Sequence, residues 1–97
     1  MKVLKRKTLQ DFWTKHANAK GPLQAWFAEV NKANWNDTTD IKAKYSSADF
    51  VAGNRVIFNI GGNNYRLIVK VAYKAGIVYI RFIGTHAEYD KIDAETI

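Results

Sequence analysis

The chain has 97 residues, 47% of them hydrophobic and 13% aromatic, which suits one folded domain over residues 1–97 and excludes a disordered chain. Lysine and arginine number 15 against 9 aspartates and glutamates, and the net charge of +6 favours an anionic partner. The absence of cysteine excludes a disulfide framework, a thiolate nucleophile and a cysteine-based zinc site.

Met1 to Arg6 is charged and lacks the apolar centre of a signal peptide, and no run approaches the ~18 apolar residues of a membrane span. A cytoplasmic protein with no membrane partner is the expectation. The same opening segment reads as a short first strand. Thr8 is expected to cap a helix, with Asp11 in the position of its acidic capping-box partner. Leu9, Phe12, Trp13 and His16 then recur at the spacing of one helix face, and the helix is expected to stop between Asn18 and Gly21. Pro22 suits the first position of a second helix, whose apolar stripe is Leu23, Trp26, Phe27 and Val30. Aromatic residues at this spacing are read as core, so Trp13, Trp26 and Phe27 are assigned there, and His16 to the core edge.

Asn34 to Thr39 is a polar connection, Asp40 to Ala43 is compatible with one further helical turn, and Ser46 to Gly53 crosses to the strands. From Asn54 onward the sequence reads as three strands joined by two glycine-containing turns, Gly61-Gly62-Asn63-Asn64 being the first. Strand, helix, helix and three strands predict an α+β fold, with two helices packed on one face of a mainly antiparallel sheet.

Strand side chains alternate between faces, so parity sorts the sheet. Val56, Phe58 and Ile60, then Leu67, Val69 and Val71, then Val78, Ile80 and Phe82 are expected to meet the helices. Arg55, Asn59, Arg66, Lys70 and Arg81 are expected on the other face, interleaved with Ile57, Ile68, Tyr79 and Ile83. No acidic residue occurs between Phe50 and Ala87, whereas Arg55, Arg66, Lys70, Lys74 and Arg81 all fall inside that stretch. Like charges facing one another across a sheet are unfavourable unless an anion screens them. Guanidinium groups also pair bidentately with phosphate.

Proton-transfer candidates are few. His86 follows the last strand in the polar run Gly84-Thr85-His86-Ala87-Glu88-Tyr89-Asp90, and imidazole exchanges protons near neutral pH. Tyr89 shares a face with it if the run is helical, and is able to stack on a base, donate a proton or close the core edge. Asp90, four residues from His86, either orients the ring or is a surface acid. One histidine and one aspartate make a poor metal site, so neither metal nor cofactor is expected. No nucleophile elbow, P-loop or dinucleotide fingerprint is present. These features fit metal-free RNA cleavage, in which the 2′-hydroxyl attacks its own phosphate while side chains move the protons and cations hold the charge.

The segments FNIGGNNYRLIVKVAY and VYIRFIGTHAEYDKID closely resemble the HigB family of toxins from bacterial type II toxin–antitoxin modules, part of the wider RelE-like group. The resemblance extends through Lys5-Arg6-Lys7, Phe12-Trp13 and Leu23-Gln24-Ala25-Trp26 to essentially the whole chain. It implies a compact β-α-α-β-β-β fold and ribosome-dependent cleavage of mRNA in the ribosomal A site. It also implies a cognate HigA-type helix-turn-helix antitoxin as partner. By carry-over, Arg66 and Arg81 fall where such toxins hold phosphate-binding arginines, and Tyr89 falls near their C-terminal tyrosine. His86 has no counterpart in the RelE branch, where lysine does proton work, whereas histidines serve in the HigB branch, so the resemblance implies His86 as the general base, with Lys70 as the second choice. Arg55, Asn59, Lys70 and Lys74 are assigned to RNA binding. The competing function is a non-catalytic RNA- or ribosome-binding module that blocks translation by occupancy.

Overall fold

The computed structural model describes residues 1–97. β1 (Lys2–Leu4) leads into α1 (Arg6–Lys15), and a 3-10 turn at Ala17–Ala19 joins α1 to α2 (Lys20–Lys32). There follow α3 (Thr38–Lys44), β2 (Asp49–Val51), β3 (Arg55–Ile60), β4 (Tyr65–Ala72), β5 (Ile77–Thr85) and α4 (His86–Tyr89). The five strands form one mixed sheet in the order β1-β5-β4-β3-β2. β1 runs parallel to β5, and the other pairings are antiparallel.

The helix starts differ from the capping expectations. α1 begins at Arg6 behind Lys5, whose φ of 68° lies in the left-handed region, and no side chain caps it. Thr8, the expected cap, sits inside the first turn. α2 begins two residues before Pro22. Proline is tolerated there because first-turn amides have no acceptor within the helix. The turn expected at Asp40 to Ala43 is a seven-residue helix, because the Asp37 carboxylate accepts from the amides of Thr39 at 3.0 Å and Asp40 at 3.3 Å. Asp49–Val51, expected only to cross over, pairs with β3 and adds an edge strand.

Leu9, Leu23, Trp26, Val30 and Ile41 from the helices are buried with Val56, Phe58, Ile60, Leu67, Val69, Val71, Val78 and Ile80 from the sheet. Trp26 meets Phe58 edge-on at 5.5 Å between ring centroids. Two assignments to the core need correction. Trp13 and Phe27 are only half-buried at its rim, where they line a groove with Arg6, Leu9 and Gln24. Arg6 stands over the Phe27 ring at 4.5 Å, so a cation takes the place of further apolar cover.

Strand parity holds along β3 and β4 and fails near the end of β5. Val69 pairs with Ile80 and Ile68 with Phe82, which leaves Arg81 without a cross-strand partner, an irregularity of the β-bulge kind. Beyond it the alternation is reversed. Phe82 joins Ile57 and Ile68 on the face away from the main core, while Ile83 pairs with Leu67 and packs against that core. The expected positions of Phe82 and Ile83 are therefore exchanged. The turn between β3 and β4 depends on Gly61 and Gly62, at φ 63° and 69°, values that side-chain-bearing residues rarely adopt.

Candidate active site

Cross-strand register arranges the polar face in rows. Asn59, Arg66 and Gly84 form one, Ile57, Ile68 and Phe82 the next, and Arg55, Lys70 and Tyr79 a third. No side-chain carboxylate lies within ion-pairing distance of Arg55, Arg66, Lys70, Lys74 or Arg81. The expected accumulation of unbalanced positive charge is thus present, but its members are not gathered at one point.

Arg66, His86, Tyr89 and Asp90 do come together. Arg66 sits next to the Asn63–Asn64 turn and is held by donating to the carbonyls of Asn63 at 3.1 Å and Tyr65 at 3.2 Å. Its other terminal nitrogen is in hydrogen-bond contact with Nε2 of His86. Guanidinium only donates, so Nε2 is the acceptor, and the ring proton belongs on Nδ1. That nitrogen faces the Asp90 carboxylate at 3.9 Å, close enough to favour the tautomer electrostatically and too far for a hydrogen bond. The Tyr89 ring lies 6.0 Å from the Arg66 guanidinium carbon. His86 and Asp90 are exposed and Tyr89 half-exposed, so the cluster is open to a large ligand.

The main chain explains why His86 is where it is. β5 ends at Thr85, whose hydroxyl accepts from the Glu88 amide at 3.2 Å while the Glu88 carboxylate accepts from the Thr85 amide at 2.8 Å. This reciprocal cap turns the chain at the strand end and starts α4 with His86 at its first position. Hydrogen bonds from Thr85 hold the Glu88 carboxyl below the ordinary glutamate value, and the nearby His16 adds a smaller effect in the same direction. The Thr85-x-x-Glu88 signature, visible in the sequence, is the device that positions His86. Behind the cap, His16 stacks on Phe12 at 4.3 Å, and both meet Tyr65 edge-on.

Arg81 does not join Arg66. Its Nε donates to the main-chain oxygen of Ile97 at 3.3 Å, and Arg55 Nε donates to the same atom at 2.9 Å. Through this shared acceptor, Arg55 and Arg81 form a second cationic group. Lys70 is exposed in the Arg55 row, four residues along β4 from Arg66, roughly 13 Å of strand. Lys74 is exposed in the β4–β5 turn, at the far end of both strands from His86. Asn59 is the cross-strand partner of Arg66, and its amide donates to the Ser47 carbonyl at 3.4 Å.

A family model described as HigB_toxin, the RelE-like toxic component of a toxin-antitoxin system, matches residues 19–92. The chain belongs to the HigB toxin family. Among its HigB relatives, the "mRNA interferase toxin HigB" of Escherichia coli strain K12 is 30% identical over 92 residues, covering 93% of this chain and 88% of that protein. The "mRNA interferase HigB" of Shigella flexneri matches to the same extent. Another of that name, from Escherichia coli O6:H1, is 21% identical over 94 residues, covering 95% and 91%. The matched span of the HigB model contains the whole Arg66–His86–Tyr89–Asp90 cluster and both members of the Arg55–Arg81 group. No helix is long and apolar enough to cross a membrane.

Proposed function

We propose that this toxin is a metal-free mRNA endoribonuclease that cleaves message in the A site of the translating ribosome, in the bacterial cytoplasm, and is neutralised by a HigA-type helix-turn-helix antitoxin. The observation that carries the reading is the contact of Arg66 with Nε2 of His86, beside Tyr89, on an open cationic face. Its support from kinship is that relatives covering nearly the whole chain are named mRNA interferases.

The chemistry follows from the donor set. A substrate phosphate is a stronger acceptor than imidazole and draws the Arg66 guanidinium to its oxygens. That frees the Nε2 lone pair, which takes the proton of the adjacent 2′-hydroxyl as the 2′-oxygen bonds to phosphorus. Arg66 stabilises the charge that develops on the phosphoryl oxygens. The bond from phosphorus to the 5′-oxygen breaks, the Tyr89 hydroxyl supplies a proton to the departing oxygen, and a 2′,3′-cyclic phosphate remains. Asp90 supports the imidazolium formed in the first step. His86 is preferred over Lys70 as base because Lys70 stands about four strand residues from Arg66. Arg55 and Arg81 act as a second contact to the RNA backbone, with Lys70, Lys74 and Asn59 as further binding residues.

Primer extension on ribosome-bound message after induction tests the proposal. New 5′ ends within codons are expected. Arrested translation with intact message would overturn the nuclease in favour of a protein that blocks by occupancy.

A further inference from the structure

We propose that Phe82 is a stacking platform for an RNA base next to the cleaved phosphate; the inference rests on the nuclease reading above. The bulge at Arg81 turns the ring onto the cationic face, in register with Ile68 and Ile57. Both isoleucines are buried, whereas Phe82 remains partly exposed, so the ring is what this apolar row presents to solvent. It is also absent from the packing of the main core, which takes Ile83 instead.

Gly84 gives the ring its place. It stands in the row of Asn59 and Arg66, and its φ is not positive, so its backbone conformation does not require glycine. Space does. A Cβ on Gly84 would collide with Cζ of Phe82, would lie 2.9 Å from Cε2, and would lie 3.2 Å from the Glu88 Cβ. The aromatic ring therefore rests over the Gly84 backbone, tipped toward the His86 end of β5. Gly84 is the cross-strand partner of Arg66, so the ring begins one row, about 7 Å, from the residue that receives the phosphate. Bases stack on aromatic side chains with little regard to sequence. In the sheet register Arg66 stands in the row on one side of the ring and Arg55 and Lys70 in the row on the other, which suits an anionic nucleotide better than an apolar peptide.

A single-turnover cleavage cycle tests the platform. It combines the parent, Phe82→Leu and Phe82→Trp proteins with messages that are intact or carry one abasic nucleotide beside the cut. Rates are read by primer extension on free and ribosome-bound RNA, and circular dichroism checks the fold. Loss of one base–aromatic stack is expected to slow Phe82→Leu on intact message roughly 5- to 100-fold. The abasic message should slow the parent similarly, the two changes together should add nothing further, and Phe82→Trp should restore the rate. Folded Phe82→Leu cleaving within twofold of the parent, or losses that multiply, would overturn the platform and leave the nuclease standing. If Phe82→Leu does not fold, the decision passes to Phe82→Trp, whose sensitivity to the abasic site must match that of the parent. A parent that cleaves neither RNA would remove the nuclease, and the platform with it.

Discussion

Replacing His86 by alanine is the sharpest test of the candidate site, because its consequences for fold, binding and rate separate. The side chain is exposed, so stability should change by no more than about 0.5 kcal/mol. Arg66 keeps its hydrogen bonds to the Asn63 and Tyr65 carbonyls, so the phosphate contact proposed for it stays placed and affinity for RNA should fall little. The rate should fall by roughly 10²–10⁴, the usual contribution of a general base, or about 3–5.5 kcal/mol of barrier. Asp90→Asn provides an internal scale. Its carboxylate is 3.9 Å from Nδ1 with 68% of the side chain exposed, so solvent screens the interaction to at most about 1 kcal/mol, roughly fivefold in rate. Single-turnover cleavage on programmed ribosomes measures both, with circular dichroism to verify the fold. A His86→Ala protein that cleaves within a few-fold of the parent would refute the assignment, as would a greater loss from Lys70→Ala.

Arg66→Ala should slow cleavage on the order of 10²–10³-fold, and more than Arg55→Ala or Arg81→Ala, which share a contact away from His86; the reverse order in the same assay would relocate the reaction centre. Trp26→Ala should destabilise by roughly 3–5 kcal/mol in urea unfolding. Half-buried Trp13→Ala should lose clearly less, and equal losses would contradict the rim position. Thr85→Ala should fray α4 by about 1 kcal/mol and lower cleavage by misplacing His86, read from the Ala87 amide signal in NMR. Because Glu88 titrates below the ordinary glutamate value of about 4.3, its part in the cap is complete above that pH and is lost as pH falls through the lower folded value. α4 should therefore loosen only in acid, and Glu88→Gln should abolish that pH dependence.

Local patterning determined much of this protein. The stripes Leu9 and Leu23-Trp26-Val30, the alternation of β3 and β4, the Gly61-Gly62 turn and the unbalanced cations after Phe50 were all legible, because periodicity and backbone conformation act over a few residues. His86 and Asp90 were legible as neighbours for the same reason, being one helical turn apart. Tertiary structure alone decided what depends on register between distant segments. Arg66 reaches His86 across 20 residues of sequence only because β4 and β5 pair so that Tyr65 faces Thr85. The bulge at Arg81 exchanged Phe82 and Ile83 between faces, since one unpaired residue inverts all later alternation in a strand. Phe82 has the same composition and local pattern whichever face it takes; the cross-strand pairing with Ile68, and the space left above Gly84, put it on the cationic one.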